Sequence, residues 1–163
     1  MARILIVGGG ARGRALAQRM IDQGHALRIT TRTEEGRSAI QDIGAECWIG
    51  TPDRLATLRG ALDRVAIACW LLAQVQGEAH EVAELHSSRL QFFLSQAIDT
   101  TVRGLIYDAT PGCVPEDVLE DGAKTFTEIA ELNAIPAVVL RSGEDENAWL
   151  DEAERTVQSL LRS

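Results

Sequence analysis

Apolar positions fall along this chain in two alternating rhythms. Short apolar runs at residues 4–7, 25–31, 46–49, 65–69, 105–109 and 137–140 are strand-like, and apolar residues recur at helical spacing between most of them. The first run, Ile4-Leu5-Ile6-Val7, has no polar interruption, which is the pattern of a strand buried on both faces. It stops at Gly8-Gly9-Gly10, and Leu16, Ala17, Met20 and Ile21 then mark one helical face that closes near Gly24. A short helix is expected at 38–43, stopped by Gly44. Thr51-Pro52-Asp53 reads as an N-cap, a proline at the first helical position and an acidic first turn, opening a helix with Leu55, Leu58 and Leu62 on one face. Residues 72–84 are polar and glycine-containing, and predict a loop or loosely helical segment. At 85–98, Leu90, Phe93, Leu94, Ala97 and Ile98 form a stripe with Phe92 beside it, suited to the core or to a dimer seam. Helices at 115–132 and 147–161 complete the series. Strand and helix alternate as in a parallel, doubly wound α/β sheet, in which a ligand lies beyond the carboxyl ends of the strands, where the first and fourth diverge.

The glycines after the first strand fit G-x-G-x-x-G at Gly8, Gly10 and Gly13, with Ala11 and Arg12 between them. Gly8 serves the tight turn, Gly10 lets backbone approach a pyrophosphate, and Gly13 permits close helix–strand packing. The helix N-terminus presents free N–H groups to the phosphates. The competing reading is a tight βα turn that binds nothing. With strand, turn and helix in register, dinucleotide binding is the expectation. Nucleotide choice is decided at the end of the second strand, where an acidic residue holds a ribose 2′-hydroxyl and an arginine accommodates a 2′-phosphate. Here Thr30-Thr31-Arg32-Thr33 stands at that point, with Arg37 close behind and Arg12 in the turn. Arginine makes a charge-assisted fork to phosphate, so NADP is favoured. NAD is the alternative, with Glu34 or Glu35 taking the ribose. The end of the fourth strand puts Cys69, Trp70 and Leu71 beside the nucleotide, although simple packing also accounts for Trp70.

Composition narrows the picture. At 163 residues, 45% hydrophobic and 25% charged, the chain is long enough for one domain with a sizeable core. A net charge of -8 argues against broad contact with nucleic acid or an anionic membrane. Cys47, Cys69 and Cys113 have no C-x-x-C spacing, so neither a metal site nor a disulfide framework is expected, and free thiols point to the cytoplasm. His80 and His86 do not match H-E-x-x-H and are expected at the surface.

Val7-Gly-Gly-Gly-Ala-Arg-Gly, Thr30-Thr-Arg, Thr51-Pro-Asp-Arg-Leu and Val138-Val-Leu-Arg together resemble the short-chain dehydrogenase/reductase superfamily, in its extended and atypical branches of epimerase/dehydratase-like and NmrA-like proteins. The resemblance implies a Rossmann fold of six parallel strands in the order 3-2-1-4-5-6, over a single NAD(P)-binding domain spanning 1–163. It also implies a reductase, dehydratase or epimerase acting on a small substrate. Such enzymes use a Tyr-x-x-x-Lys pair, whereas this chain has one tyrosine, Tyr107, and one lysine, Lys124. Lys124 falls near the family's lysine position and Glu120 where the tyrosine would stand, both on one helix face at i, i+4. Lys124 would hold the ribose, and Glu120 would act as an acid only with a strongly raised pKa. The competing reading is an exposed pair on a solvated helix. Thr110 lies where relatives place a catalytic Ser or Thr and would donate a hydrogen bond to a substrate carbonyl; nearby Cys113 is expected to be structural. Extended relatives continue into a separate substrate lobe, so a substrate here is expected to be small, or enclosed by 72–84 or by a second subunit in a homodimer. A non-catalytic NAD(P)-binding sensor or regulatory module is the other reading.

Overall fold

Six parallel strands form one sheet in the computed structural model, which describes residues 1–142 and 145–163. The strands are β1 (Arg3–Gly8), β2 (Ala26–Thr31), β3 (Glu46–Ile49), β4 (Ile67–Leu71), β5 (Gly104–Asp108) and β6 (Ala137–Leu140). Their order is β3-β2-β1-β4-β5-β6, that of a Rossmann-type α/β fold. Around them stand α1 (Gly10–Asp22), α2 (Arg37–Asp42), α3 (Ala79–Leu85), α4 (Ser88–Ile98), α5 (Glu116–Leu132) and α6 (Glu146–Arg162).

The two-residue period of the strands sorts the core into two layers. Ile4 and Ile6 of β1, with Ile67, Cys69 and Leu71 of β4, face Leu16, Ala17 and Met20 of α1 and Trp149 and Val157 of α6. Leu5, Val7, Ala68, Trp70 and Tyr107 face the opposite way, onto Leu90 and Phe93 of α4 and Leu119 and Phe126 of α5. The stripe on α4 is therefore core, and only Phe92 beside it is exposed. Gly24 ends α1 in the left-handed region at φ +93°, where its N–H donates to the Ile21 carbonyl and that of His25 to the Met20 carbonyl.

The structure corrects one element and sharpens another. Residues 51–62 do not form an α-helix but two 3-10 turns, Leu55–Thr57 and Gly60–Leu62. Donors from the sheet bind carbonyls in this stretch: the Trp48 indole donates to Thr57 at 2.7 Å and Arg28 to Ala61 at 2.6 Å. The Thr57 hydroxyl also turns back onto the Arg54 carbonyl at 2.6 Å. Further on, the segment expected as a loop or loosely helical over 72–84 is a loop through Glu78 and then α3 from Ala79, with Leu72 and Ala73 buried. Among the described residues, no helix is long and apolar enough to cross a membrane.

Candidate functional site

Three consecutive glycines carry β1 into α1 with left-handed backbones: Gly8 at φ +78°, Gly9 at +91° and Gly10 at +51°. Side chains at these positions would be strained, so the turn is tied to glycine. Gly13, one turn into α1, sits directly on the strand: a Cβ there would lie 2.9 Å from the Gly8 carbonyl oxygen and 3.3 Å from Ile6 Cγ2. A Cβ at Gly10 would meet nothing within 4 Å, so the backbone there is bare toward a cleft.

That cleft, about 640 Å³, opens beyond the carboxyl ends of the strands and is of a size usual for small-ligand sites. Its floor is Gly8, Gly9, Gly10 and Ala11, under the free amides of the α1 N-terminus. Thr30, Thr31 and Arg32 at the end of β2, with Pro52 beyond β3, form one wall. Leu71 and Leu72 at the end of β4, then Gln74, Val75 and Gln76, form the other. Arg12, Arg14 and Arg32 all reach it, and among the described residues Glu146 is the one acidic lining group. Arg32 is exposed and 3.4 Å from Asp53. Arg12 is mostly buried: its Nε donates to Glu146 at 3.1 Å and its guanidinium lies 5.4 Å from the centre of the Trp149 ring. Its Nη1 is buried and finds no partner among the described residues.

Of the residues expected to hold the nucleotide, Gly8, Gly10, Ala11, Arg12, Thr31 and Arg32 line the cleft, and Gly13 lies beneath its floor. Three expected there are placed elsewhere. Arg37 makes a two-pronged bond to Glu34 at 2.6 and 2.9 Å, because the 3-10 turn at Glu34–Gly36 brings the two together at i, i+3. Cys69 and Trp70 sit two residues and one residue too early on the fully buried β4. The Cys69 thiol faces the α1 and α6 layer, where burial pushes its pKa up to about 12. The Trp70 indole donates to the Leu85 carbonyl at 3.1 Å, and its ring packs on Phe93. The wall they were expected to form is made by Leu71 and Leu72. Glu146, which faces the cleft from a helix distant in sequence, left no signal around the motif; Arg14 did, by its place one residue past Gly13.

The catalytic candidates do not converge on the cleft. Lys124 is exposed on α5 and is not among its lining residues. Glu120 is gripped by Arg141 at 2.9 and 3.2 Å, and this bond holds its carboxyl below the usual range, opposite to the raised value that an acid role needs. Thr110 is fully buried; its N–H donates to Asp108 Oδ1 at 3.0 Å and its carbonyl accepts from the Gln74 amide at 3.2 Å. Thr110 is linked to the site through Gln74, which lines the cleft. Cys113 is exposed at the cleft's edge rather than packed inside, with Gln76 Nε2 3.6 Å from its sulfur.

His80 is exposed beside Glu78 and Glu81, but His86 is buried, against expectation. The end of α3 carries it under β5, where Nε2 lies 3.0 Å from the Leu72 carbonyl and Nδ1 2.6 Å from the Tyr107 hydroxyl. A carbonyl only accepts, so Nε2 carries the proton and Nδ1 accepts from the phenol. Burial lowers the His86 pKa and raises that of Tyr107. Burial also raises Asp108, against the hydrogen bonds from Thr110 and Trp149 that favour its charge.

No family model matches the chain. In sequence it is 25% identical over 138 residues to a 4-hydroxy-2-methyl-3-oxo-4-farnesyl-3,4-dihydroquinoline-1-oxide ketoreductase of Stigmatella aurantiaca, a match covering 82% of this chain and 39% of that one. Among similar solved structures is Pen from Bacillus thuringiensis, at TM-score 0.76 and 13% identity over 99% of this chain and 66% of that chain. A short-chain dehydrogenase/reductase superfamily protein from Agrobacterium tumefaciens with bound NAD follows at TM-score 0.71 and 18% identity, over 85% of this chain and 48% of that one. UDP-glucose 4-epimerase from Thermotoga maritima gives TM-score 0.72 at 16% identity, over 85% and 54%. The fold is thus that of short-chain dehydrogenase/reductase and epimerase proteins, as the glycine motif implied. The chain spans about two fifths of the length of the ketoreductase and about half that of the Agrobacterium protein.

Proposed function

We propose that the cleft binds NADP(H), and that the chain is an oxidoreductase moving a hydride between this nucleotide and a small substrate. One observation carries the reading: Arg12, Arg14 and Arg32 reach a cleft floored by bare glycine backbone, and β2 ends in Thr31 rather than a carboxylate. Glu34 is paired with Arg37, so a ribose hydroxyl would have to compete with that guanidinium for it. The glycine turn fits the nucleotide's phosphates, since nothing stands within 4 Å of where a Gly10 side chain would be. Main-chain amides at the start of α1 would hold the pyrophosphate, and Arg32 would fork to a 2′-phosphate. The nucleotide, once bound, supplies the hydride donor or acceptor. Leu71, Leu72 and Val75 give the cleft an apolar wall, and the Gln74 amide, held by the Thr110 carbonyl, would orient a polar group there. NAD is the alternative nucleotide. Three free cysteines accord with a cytoplasmic setting, and a second copy of the chain is one candidate for closing the site.

Titration calorimetry with NADPH and NADH tests the nucleotide. NADPH is expected to bind the tighter, and Arg32→Ala to bring the two together; equal affinities in the parent protein would end the NADP assignment. A second reading, a non-catalytic redox sensor or regulator, is favoured by the placement of Tyr107, Glu120, Lys124 and Thr110 outside the cleft lining. NADPH oxidation against a panel of quinones, aldehydes and ketones separates the two: tight binding without turnover on any of them selects the sensor.

A further inference from the structure

Arg12 is a phosphate-binding type of side chain held in an unusual way. Its guanidinium stacks on Trp149, one edge is engaged by Glu146, and Nη1 is buried without a partner among the described residues. Both stacking and pairing groups come from the first turn of α6, on the far side of the sequence from the glycine turn. Trp149 is itself anchored by its indole, 3.4 Å from the buried carboxylate of Asp108, so the platform under Arg12 is fixed. Glu146 is different: its side chain is 75% exposed and free to swing away. It is also the single acidic group among the described lining residues of a cleft otherwise charged by arginines.

We propose that Glu146 is a specificity-determining residue acting as a displaceable counter-ion for Arg12, and that the ligand group that displaces it is a pyrophosphate. Resting on the dinucleotide reading above, this names which phosphates Arg12 takes. Arg12 lies inside the turn between Gly10 and Gly13, where a pyrophosphate would sit, whereas Arg32 stands at the end of β2, where a 2′-phosphate would. Before binding, the Glu146 carboxylate neutralises the guanidinium and keeps it over Trp149. As a pyrophosphate arrives, the bond from Nε to the carboxylate gives way to bonds from the guanidinium to phosphate oxygens, and the carboxylate turns out to solvent. No bond other than these hydrogen bonds is made or broken. A carboxylate left at the rim repels the bound anion, so Glu146 lowers affinity for every ligand bearing a pyrophosphate and leaves uncharged ligands alone.

Calorimetry on the parent chain and Glu146→Gln, with NADPH, NADH, inorganic pyrophosphate and adenosine as probes, tests this at low and high salt. Glu146→Gln is expected to bind NADPH, NADH and pyrophosphate roughly two- to fivefold more tightly, with the gain fading in high salt and adenosine unaffected. A gain for NADPH alone would move Arg12 to the 2′-phosphate and overturn the proposal, as would no gain for any anion. If neither dinucleotide binds but pyrophosphate still tightens, the exchange stands and the dinucleotide reading falls. If no phosphate ligand binds either protein, both fall. Melting curves of the two proteins control for folding, because the loss of Glu146 removes a favourable charge at the α6 N-terminus and weakens its ion pair with Arg12.

Discussion

Gly13→Ala and Gly10→Ala separate the two jobs that the glycine turn performs. At Gly13 the added methyl would stand 2.9 Å from the main-chain oxygen of Gly8, about 0.5 Å short of the 3.4 Å at which ordinary contacts begin. The neighbour is backbone of the central strand, so relief requires α1 to lift off β1 with its buried face of Leu16, Ala17 and Met20. Overpacking of this kind costs about 1–3 kcal/mol, offset by roughly 1 kcal/mol from alanine's better helix propensity. The net loss is up to about 2 kcal/mol, which for a chain of this length lowers Tm by up to roughly 8 °C. Lifting α1 also withdraws its N-terminal amides, so nucleotide affinity falls with stability. At Gly10 there is no clash, and only the backbone angle of +51° resists a side chain. Strain there is about 1–2 kcal/mol, but the methyl stands on the cleft floor and keeps phosphates off the amides. Affinity at Gly10→Ala is therefore expected to drop by at least about tenfold, or roughly 1.4 kcal/mol. Thermal melts with and without NADPH, together with calorimetry, read both quantities. A Gly13→Ala protein with the parent Tm and parent affinity would refute the packing argument.

Other consequences follow from buried groups. Tyr107→Phe leaves His86 Nδ1 buried without its 2.6 Å partner and should destabilise by about 1–3 kcal/mol in urea unfolding, with less effect when His86 is also replaced by an apolar residue. Because burial lowers the His86 pKa, its neutral form supports folding fully above the ordinary value of 6.5, and that support is lost as pH falls toward the lowered value. Stability of the parent should decline as pH falls below about 6.5, with a slope that His86→Phe reduces. Asp108 runs the other way: its raised pKa means that the protonated form suits the fold, a contribution present below the ordinary carboxylate value and lost as pH rises through the folded one. Relative to the parent, Asp108→Asn should thus look best at neutral pH, and the gap should narrow on acidification; a gap that widens would place a charged, stabilising carboxylate there instead.

The arrangement around Arg28 shows why one stretch misled. Thr51-Pro52-Asp53 carries good helix-start chemistry, and its leucines have the right spacing. Yet Trp48 and Arg28 reach in from β3 and β2 to take the Thr57 and Ala61 carbonyls, and the segment winds into 3-10 turns. Local propensity was outweighed by donors that are distant in sequence. His86 misled for a related reason: polar neighbours put it at a surface, while its partner Tyr107 lies on β5, 21 residues on.

What the residue order determined alone was everything carried by short-range pattern. Six apolar runs, the helical stripes and three glycines at fixed offsets were enough for a doubly wound sheet and for a phosphate-sized turn at its first crossover, because periodicity and φ preference act within a few residues. The strand order then followed from family likeness. Which charged groups serve that turn was decided only in three dimensions. Arg32 and Arg37 are five apart and alike in type, but one faces the cleft and the other is held by Glu34. Glu120 and Lys124 had the right spacing, and Arg141 from beyond β6 took the carboxylate. Glu146 reaches Arg12 across 134 positions. Electrostatic pairing is short in space and indifferent to sequence distance, so the site's chemistry had to wait for the folded chain.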